Sequence, residues 1–339
     1  MDPTALDRQK RRLDRLKSEG VYRSTVFVHQ ECREALDSLR PMFLNPTQGT
    51  LIQQVVAQMQ KKTAPTNVAQ VTQLSPFRYP GGKTWLVPEL RRWLTVQNPI
   101  STFVEPFAGG ASCALMVASE SLAERVVLGE LDMDVAAVWL TIFDSPPADA
   151  KWLCRQILEF DVTEVGVRAA LATVPRNNRD RAWKTIVRNR MQRGGILAPG
   201  AGLIKSGEAG RGLASRWYPQ TLVRRIECLQ LLRNRVKVFA GDAFDLMAQH
   251  SGDKRAAFLI DPPYTAGGKS AGTRLYNHHA LDHDRLFRVS ANIKGTVMMT
   301  YDDAPEVRTL AEKYGFAISQ VPMKSGHHEV HKELLLTRL

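Results

Sequence analysis
Four consecutive residues, Asp261-Pro262-Pro263-Tyr264, place a carboxylate and an aromatic ring on a stiff turn directly after the apolar run Ala256 to Ile260. A run that short and that apolar reads as a strand buried on both faces, so the tetrad falls where a parallel strand stops. Neither proline can continue a ladder, and together they stiffen the turn. The acid can accept hydrogen bonds from an amino group, and the ring can stack on a base. Asp261, Pro262 and Tyr264 therefore suit chemistry on a nucleobase amine, although an ordinary strand-to-loop turn could carry the same residues.

Three further acids and a lysine stand at comparable points. The stretch Glu105-Pro106-Phe107-Ala108-Gly109-Gly110 ends a short strand and leads into a helix from Cys113. Its glycines admit positive φ and let a ligand approach the backbone. Glu130 ends the next apolar strand about twenty residues later, the spacing of an acid that bonds the ribose hydroxyls of an adenine-containing cofactor. No Lys-Ser/Thr pair follows the turn, which disfavours a P-loop nucleotidase. Asp242 ends a third strand and can either accept from an adenine amino group or cap the helix after it. Lys83, in Tyr79-Pro80-Gly81-Gly82-Lys83, stands near a helix N-terminus against the dipole preference, which points it toward a ligand.

The elements that must position these groups follow an α/β order. Strands read at 102–105, 126–130, 236–240, 256–260, 295–300 and 332–337, with helices from Thr84, Cys113 and Met133. Acids at the carboxyl edge of such a sheet face the crevice where open α/β folds bind ligands. The chain has 339 residues, 44% of them apolar and 24% charged, which suits a soluble globular protein of two or three domains. No apolar run approaches the ~20 residues of a membrane span. Four widely separated cysteines without metal-ligand spacing suggest free thiols in a cytoplasmic protein. His327-His328-Glu329-Val330-His331 reads as a terminal hairpin leading into Leu334 to Leu336, so no metal site is expected.

The net charge of +12 is concentrated. Residues 176–235 hold 14 Lys or Arg against three acids, Asp180, Glu208 and Glu227, which is +11 within 60 residues. So one-sided a block points to a polyanion partner. It lies in residues 151–235, read as an insertion between two parts of one catalytic core, 77–150 and 236–339. Arginines, an asparagine, aromatics and flexible glycines mix there. Arg188, Asn189, Arg190, Arg193, Lys205 and Arg216 are the candidates to meet nucleic acid, by phosphate or base-edge contacts.

Upstream, residues 1–18 are charged and poor in large apolar groups, an arm without a core of its own. Residues 19–63 give a strand (Val21 to Val28) and two helical patterns, and 64–76 read as a linker. The strand-helix-helix order resembles ribbon-helix-helix DNA-binding dimers over about forty residues. That resemblance implies a homodimer whose paired strands expose Arg23 and Thr25 to the major groove. A helical extension packed on the main domain accounts for the same residues equally well.

In sum of motifs, the chain from about 75 onward resembles the Dam-type (D12-class) adenine-specific DNA methyltransferases. The order is theirs: Tyr79-Pro80-Gly81-Gly82-Lys83, then Glu105 to Gly110, an acid at the next strand end, a basic insertion, then Asp261 to Tyr264. Two positions depart from it, since Trp-Ala is commoner than Tyr79-Pro80 and Asp commoner than Glu130. The resemblance implies a Rossmann-like S-adenosylmethionine-dependent methyltransferase sheet with a mostly helical target-recognition insertion. It implies S-adenosylmethionine held by Tyr79, Lys83, Glu105, Phe107, Gly109, Glu130 and Asp242. Asp261 would sit at the reaction centre, with double-stranded DNA as substrate and a cognate restriction endonuclease as an expected companion. An RNA adenine or DNA cytosine-N4 methyltransferase is the nearest alternative, and a DNA-binding regulator with a vestigial fold is another.

Overall fold
The computed structural model describes residues 73–79, 82–97, 99–198, 200–207, 210–263, 281–324 and 330–338. The chain divides into two units, 1–64 and 65–339, and all described residues belong to the second. The N-terminal arm, the ribbon-helix-helix-like segment with Arg23 and Thr25, Tyr264 and His327 to Glu329 lie outside the described residues.

The elements follow in chain order: a 3-10 turn Thr84–Leu86 with α1 Val87–Thr95, β1 Ile100–Glu105, α2 Ser112–Ser119, β2 Ala123–Glu130 and α3 Met133–Phe143. Next come α4 Pro147–Glu159, α5 Glu164–Ala172, α6 Asn178–Met191 and α7 Pro219–Gln230. The chain then returns through β3 Val236–Ala240, α8 Ala243–His250, β4 Ala256–Ile260, α9 His283–Ala291 and β5 Thr296–Asp302. It closes with α10 Pro305–Lys313, β6 Ala317–Lys324 and β7 Val330–Arg338.

The strands form one sheet in the order β3-β2-β1-β4-β5-β7-β6. Neighbours from β3 to β5 run parallel, and β7 is antiparallel to both β5 and β6. This is a doubly wound α/β architecture of Rossmann type. The strand order reverses between β1 and β4, so the switch-point crevice opens at Glu105 and Asp261.

Burial on both faces explains the short apolar strands. In β4, Ala257 and Leu259 join one hydrophobic cluster, while Ala256, Phe258 and Ile260 join the other, as the period-two pleat requires. Helix α2 buries Cys113 through Val117 on all sides, which only a helix wedged inside a larger core can do. The basic insertion shares this core. Leu153, Ile157, Val167, Ile186 and Leu222 pack in the cluster that also holds Phe103, Val126 and Trp139. Its first helix, α4, already begins at Pro147.

Strand β6 supplies the first arm of the expected terminal hairpin, an arm to which the sequence reading gave no bounds. Its segment contains Pro322, which breaks a strand pattern, yet β6 is the outermost strand and pairs only with β7. An edge is where a missing N–H is tolerated.

Candidate active site
All four acids sit at the carboxyl edge because the strands that deliver them are parallel and in register. Glu105 and Glu130 are the last residues of β1 and β2, Asp242 follows β3 by two residues, and Asp261 follows β4 directly. The turn after β1 is drawn onto β2 by a hydrogen bond from Ala108 N to the Gly129 carbonyl at 2.9 Å. Gly129 is required there, since a Cβ would lie 2.8 Å from the Pro106 carbonyl oxygen.

These residues surround one cavity of about 320 Å³. Its walls include Tyr79, Lys83, Glu105, Phe107, Gly109, Glu130, Asp242 and Asp261, eight sequence candidates from five separate segments. Pro263 also lines it, whereas Pro262 is buried beside it.

Two carboxylates organise one side of the cavity. Glu130 accepts from Gly109 N at 3.0 Å through one oxygen and from Asp132 N at 2.9 Å through the other. Burial pushes its carboxyl up to about 7, and Asp132 adds to the rise, against the pull of the backbone donors. Asp242 caps α8 by accepting from Phe244 N at 2.7 Å. Its capping role and its place in the cavity wall therefore coexist. The Tyr79 ring lies against the glycine turn, where a Cβ on Gly109 would fall 2.6 Å from it. Trp139 fixes the same turn from below by donating to the Gly109 carbonyl at 2.9 Å.

The side nearest Asp261 is a charge cluster. Asp261 Oδ1 accepts from Thr300 Oγ1 at 2.6 Å and lies 3.1 Å from Lys83 Nζ, which is 3.7 Å from Glu333 Oε2. Lys83 and Glu333 are buried. Glu105 accepts from Ala114 N at 3.0 Å, and burial reinforced by the Asp261 charge pushes its carboxyl up to about 8. Lys83 thus pairs with acids from two strands, Asp261 after β4 and Glu333 in β7, which accounts for a lysine at an otherwise unfavourable helix start.

Thr300 and Glu333 were not among the sequence candidates. Thr300 carries the same signal as Asp261, a polar residue late in an apolar strand. Glu333 was hidden by strand direction. Because β7 is antiparallel, its first residues, not its last, reach the carboxyl edge, where Glu333 pairs with Asp302.

The insertion candidates divide. Arg193 and Lys205 are exposed and Arg216 is half-buried. Asn189 and Arg190 are buried, so neither stands on the open surface of the insertion; Asn189 is tied to backbone groups, and Arg190 lines a second cleft. Asn189 accepts from Arg78 N at 2.8 Å and donates to the carbonyls of Arg78 and Gly195 at 2.9 and 2.8 Å. Arg190 donates to the Pro76 carbonyl. Arg188 bonds Asp134 at 3.1 Å and the Leu197 carbonyl. These side chains lash the segment before α1 and the loop after α6 together, and Gly195 and Leu197 of that loop reach the cavity wall.

The high carboxyls give a pH signature. Unfolded, Glu105 and Glu130 release protons near 4.5; folded, they do so near 8 and 7. Between those limits the folded protein holds protons that the unfolded chain has lost, so stability falls as pH rises from about 4.5 to 8. Burial lowers His250 and His283, which acts in the opposite sense. Comparison with Glu105→Gln isolates the carboxyl. Urea unfolding of wild type is expected to lose roughly 3 kcal/mol between pH 5 and pH 8 from this group, and Glu105→Gln to lose clearly less. Parallel pH profiles for the two proteins would refute this account.

Residues 79–151 match the family of D12 class N6 adenine-specific DNA methyltransferases. No curated protein sequence is significantly similar to the chain. Among solved structures, the C-terminal domain of precorrin-6Y C5,15-methyltransferase from Rhodobacter capsulatus aligns with 78% of this chain and 98% of its own, at 10% identity and a TM-score of 0.33. The methyltransferase domain of bacterial CtHen1-CN aligns with 76% of this chain and 99% of its own, at 11% identity and a TM-score of 0.32. The family match spans Tyr79, Lys83, the glycine turn and Glu130, and it supports methyl transfer. Among the described residues, no helix is long and apolar enough to cross a membrane.

Proposed function
We propose that the chain is an S-adenosylmethionine-dependent methyltransferase acting on the N6 amino group of adenine in duplex DNA. The observation that carries this reading is Asp261. Its carboxylate stands at the switch point of the sheet, held by Thr300 and Lys83, in the same cavity as Glu130 and the glycine turn.

The residues present fit such a donor. Glu130 offers a carboxylate to ribose hydroxyls, the Gly109 turn leaves room for close backbone approach, and the Tyr79, Phe107 and Phe244 rings offer apolar walls. When bound, the donor supplies an electrophilic methyl group on a sulfonium. Adenine's amino nitrogen is a weak nucleophile because its lone pair is delocalised into the ring. Asp261 accepts a hydrogen bond from that amine, together with the Pro262 carbonyl in this proposal, and fixes its direction. As positive charge develops on nitrogen, the preset carboxylate stabilises it more strongly than it did the ground state. Lys83 must loosen its hold on Asp261 as the amine arrives, and Glu333 is the second acid to which it can shift.

An adenine inside a duplex cannot reach this cavity, so the base must be flipped out. Tyr264 is the proposed stacking partner. A cytoplasmic setting, a restriction-enzyme companion and a dimer through the first unit belong to the same proposal. Purified protein incubated with methyl-labelled donor and mixed-sequence DNA or RNA, followed by nucleoside mass spectrometry, tests it. N6-methyladenine in the DNA is expected. Label found only in RNA, or as N4-methylcytosine, would overturn the substrate assignment.

A further inference from the structure
A second cleft, of about 500 Å³, shares Tyr79, Gly82 and Ser112 with the first. Four guanidinium groups line it: Arg78 from the segment before α1, Arg190 from the end of α6, Arg216 from a 3-10 turn and Arg225 from α7. No carboxylate is among the described residues of its wall, and none of them pairs with Arg78, Arg190 or Arg225. Burial and mutual repulsion hold Arg190 down to about 9, and burial with a neighbouring arginine lowers Arg78 and Arg225.

The cluster is built, not incidental. Both backbone polar groups of Arg78 are clamped by Asn189, and Arg225 donates to the Ser75 carbonyl at 2.7 Å. Arg190 is 5% exposed, and its Nε has no hydrogen-bond partner among the described residues. A buried donor left unmade costs free energy, and so do converging like charges. An anion with several acceptor oxygens removes both costs, and the guanidinium fork matches phosphate bidentately.

We propose that this cleft binds phosphate, and that the phosphate belongs to the backbone of the strand whose base enters the neighbouring cavity. The second half of this rests on the nucleic-acid reading given above. The shared wall carries the argument. Tyr79 and Gly82 face both clefts, so a strand phosphate seated on the arginines shares a wall with the segment that holds Lys83. Extruding a nucleotide rotates it about its flanking phosphates. A fixed phosphate there gives that rotation a pivot.

The test uses the full chain and the variants Arg78→Gln, Arg216→Gln and their combination, with Arg78→Lys as the charge-preserving partner. Duplex DNA affinity is measured from about 50 to 200 mM salt, where each phosphate contact contributes a slope of about 0.9 in log K against log salt. The double variant should bind roughly tenfold more weakly with a slope shallower by about one, and Arg78→Lys should recover part of the loss. The thermal midpoint of Arg78→Gln should be no lower than wild type, because repulsion has been relieved, and donor binding by calorimetry should be unchanged in the double variant. Inorganic phosphate and a mononucleotide form the second arm. If they raise the wild-type midpoint but not the variant's, while DNA affinity ignores both arginines, the phosphate site stands and its assignment to the strand is overturned. If neither ligand nor DNA distinguishes the variants from wild type, the proposal fails. A protein that methylates no DNA, yet binds phosphate through these arginines, would refute the substrate reading alone.

Discussion
Asp261→Asn is expected to lower the rate of methyl transfer by about 10²- to 10³-fold, the effect of removing one preorganised charge stabiliser from a transition state. The substitution keeps shape and leaves an oxygen for the Thr300 hydroxyl, so the turn should hold. What it removes is the negative charge that must meet a developing positive nitrogen. Donor affinity should barely change, because Glu130, Gly109 and Asp242 lie at other strand ends. Lys83 would keep Glu333 as its acid. Single-turnover transfer from labelled donor to duplex DNA, with donor binding measured separately, checks both halves. Transfer at the wild-type rate by Asp261→Asn would remove Asp261 from the reaction. The charge lost also relaxes Glu105, whose high carboxyl owes part of its rise to Asp261, so the pH profile of stability should flatten in this variant too.

The legible part of this site was its parallel half. Glu105, Glu130 and Asp261 each close a short apolar run, and in a parallel sheet the ends of such runs necessarily share an edge. Spacing along the chain therefore predicted proximity in space. Direction defeated the same logic at Glu333, which begins its strand and reaches the edge only because β7 is reversed. Nothing local encodes that reversal. The first arm of the terminal hairpin, β6, was left without bounds because Pro322 breaks the pattern of an interior strand, and edge position is a property of the whole sheet.

The basic block illustrates a different limit. Charge count located a cationic region, but it treated each residue as facing outward. Helix α6 buries Thr185, Ile186, Val187, Asn189, Arg190 and Met191, so its polar and apolar residues alike point into packed surroundings. Asn189 and one arm of the Arg190 guanidinium bond backbone carbonyls more than a hundred positions away, which leaves the rest of Arg190 to the second cleft. Arg78 escaped notice because a single arginine before a glycine motif looks like solvated charge. Its meaning arises only when Arg190, Arg216 and Arg225 converge on it.

Gly109→Val should abolish productive donor binding, with at least a hundredfold loss of affinity on the order expected when a pocket wall is filled. Gly109 has φ of +47°, a conformation that a β-branched residue adopts only at a steep cost. An added Cβ would also meet the Tyr79 ring at 2.6 and 2.8 Å, and that ring sits between the two clefts. The ring cannot simply swing away, since Tyr79 also packs edge-on against Phe77, itself stacked edge-on against Trp139. Trp139 in turn holds the Gly109 carbonyl, so the strain returns to its source. Displacing the turn would further break the bond from Gly109 N to Glu130 and leave a buried carboxylate under-satisfied. The thermal midpoint should therefore drop by several degrees, at about 2–4 °C per kcal/mol for a domain of this size. Gly202→Val supplies the contrast, because nothing lies within 4 Å of a Cβ there. Calorimetric titration with the donor and a thermal melt of both variants decide the matter: equal donor affinity in Gly109→Val and Gly202→Val would mean that the glycine turn does not hold the donor.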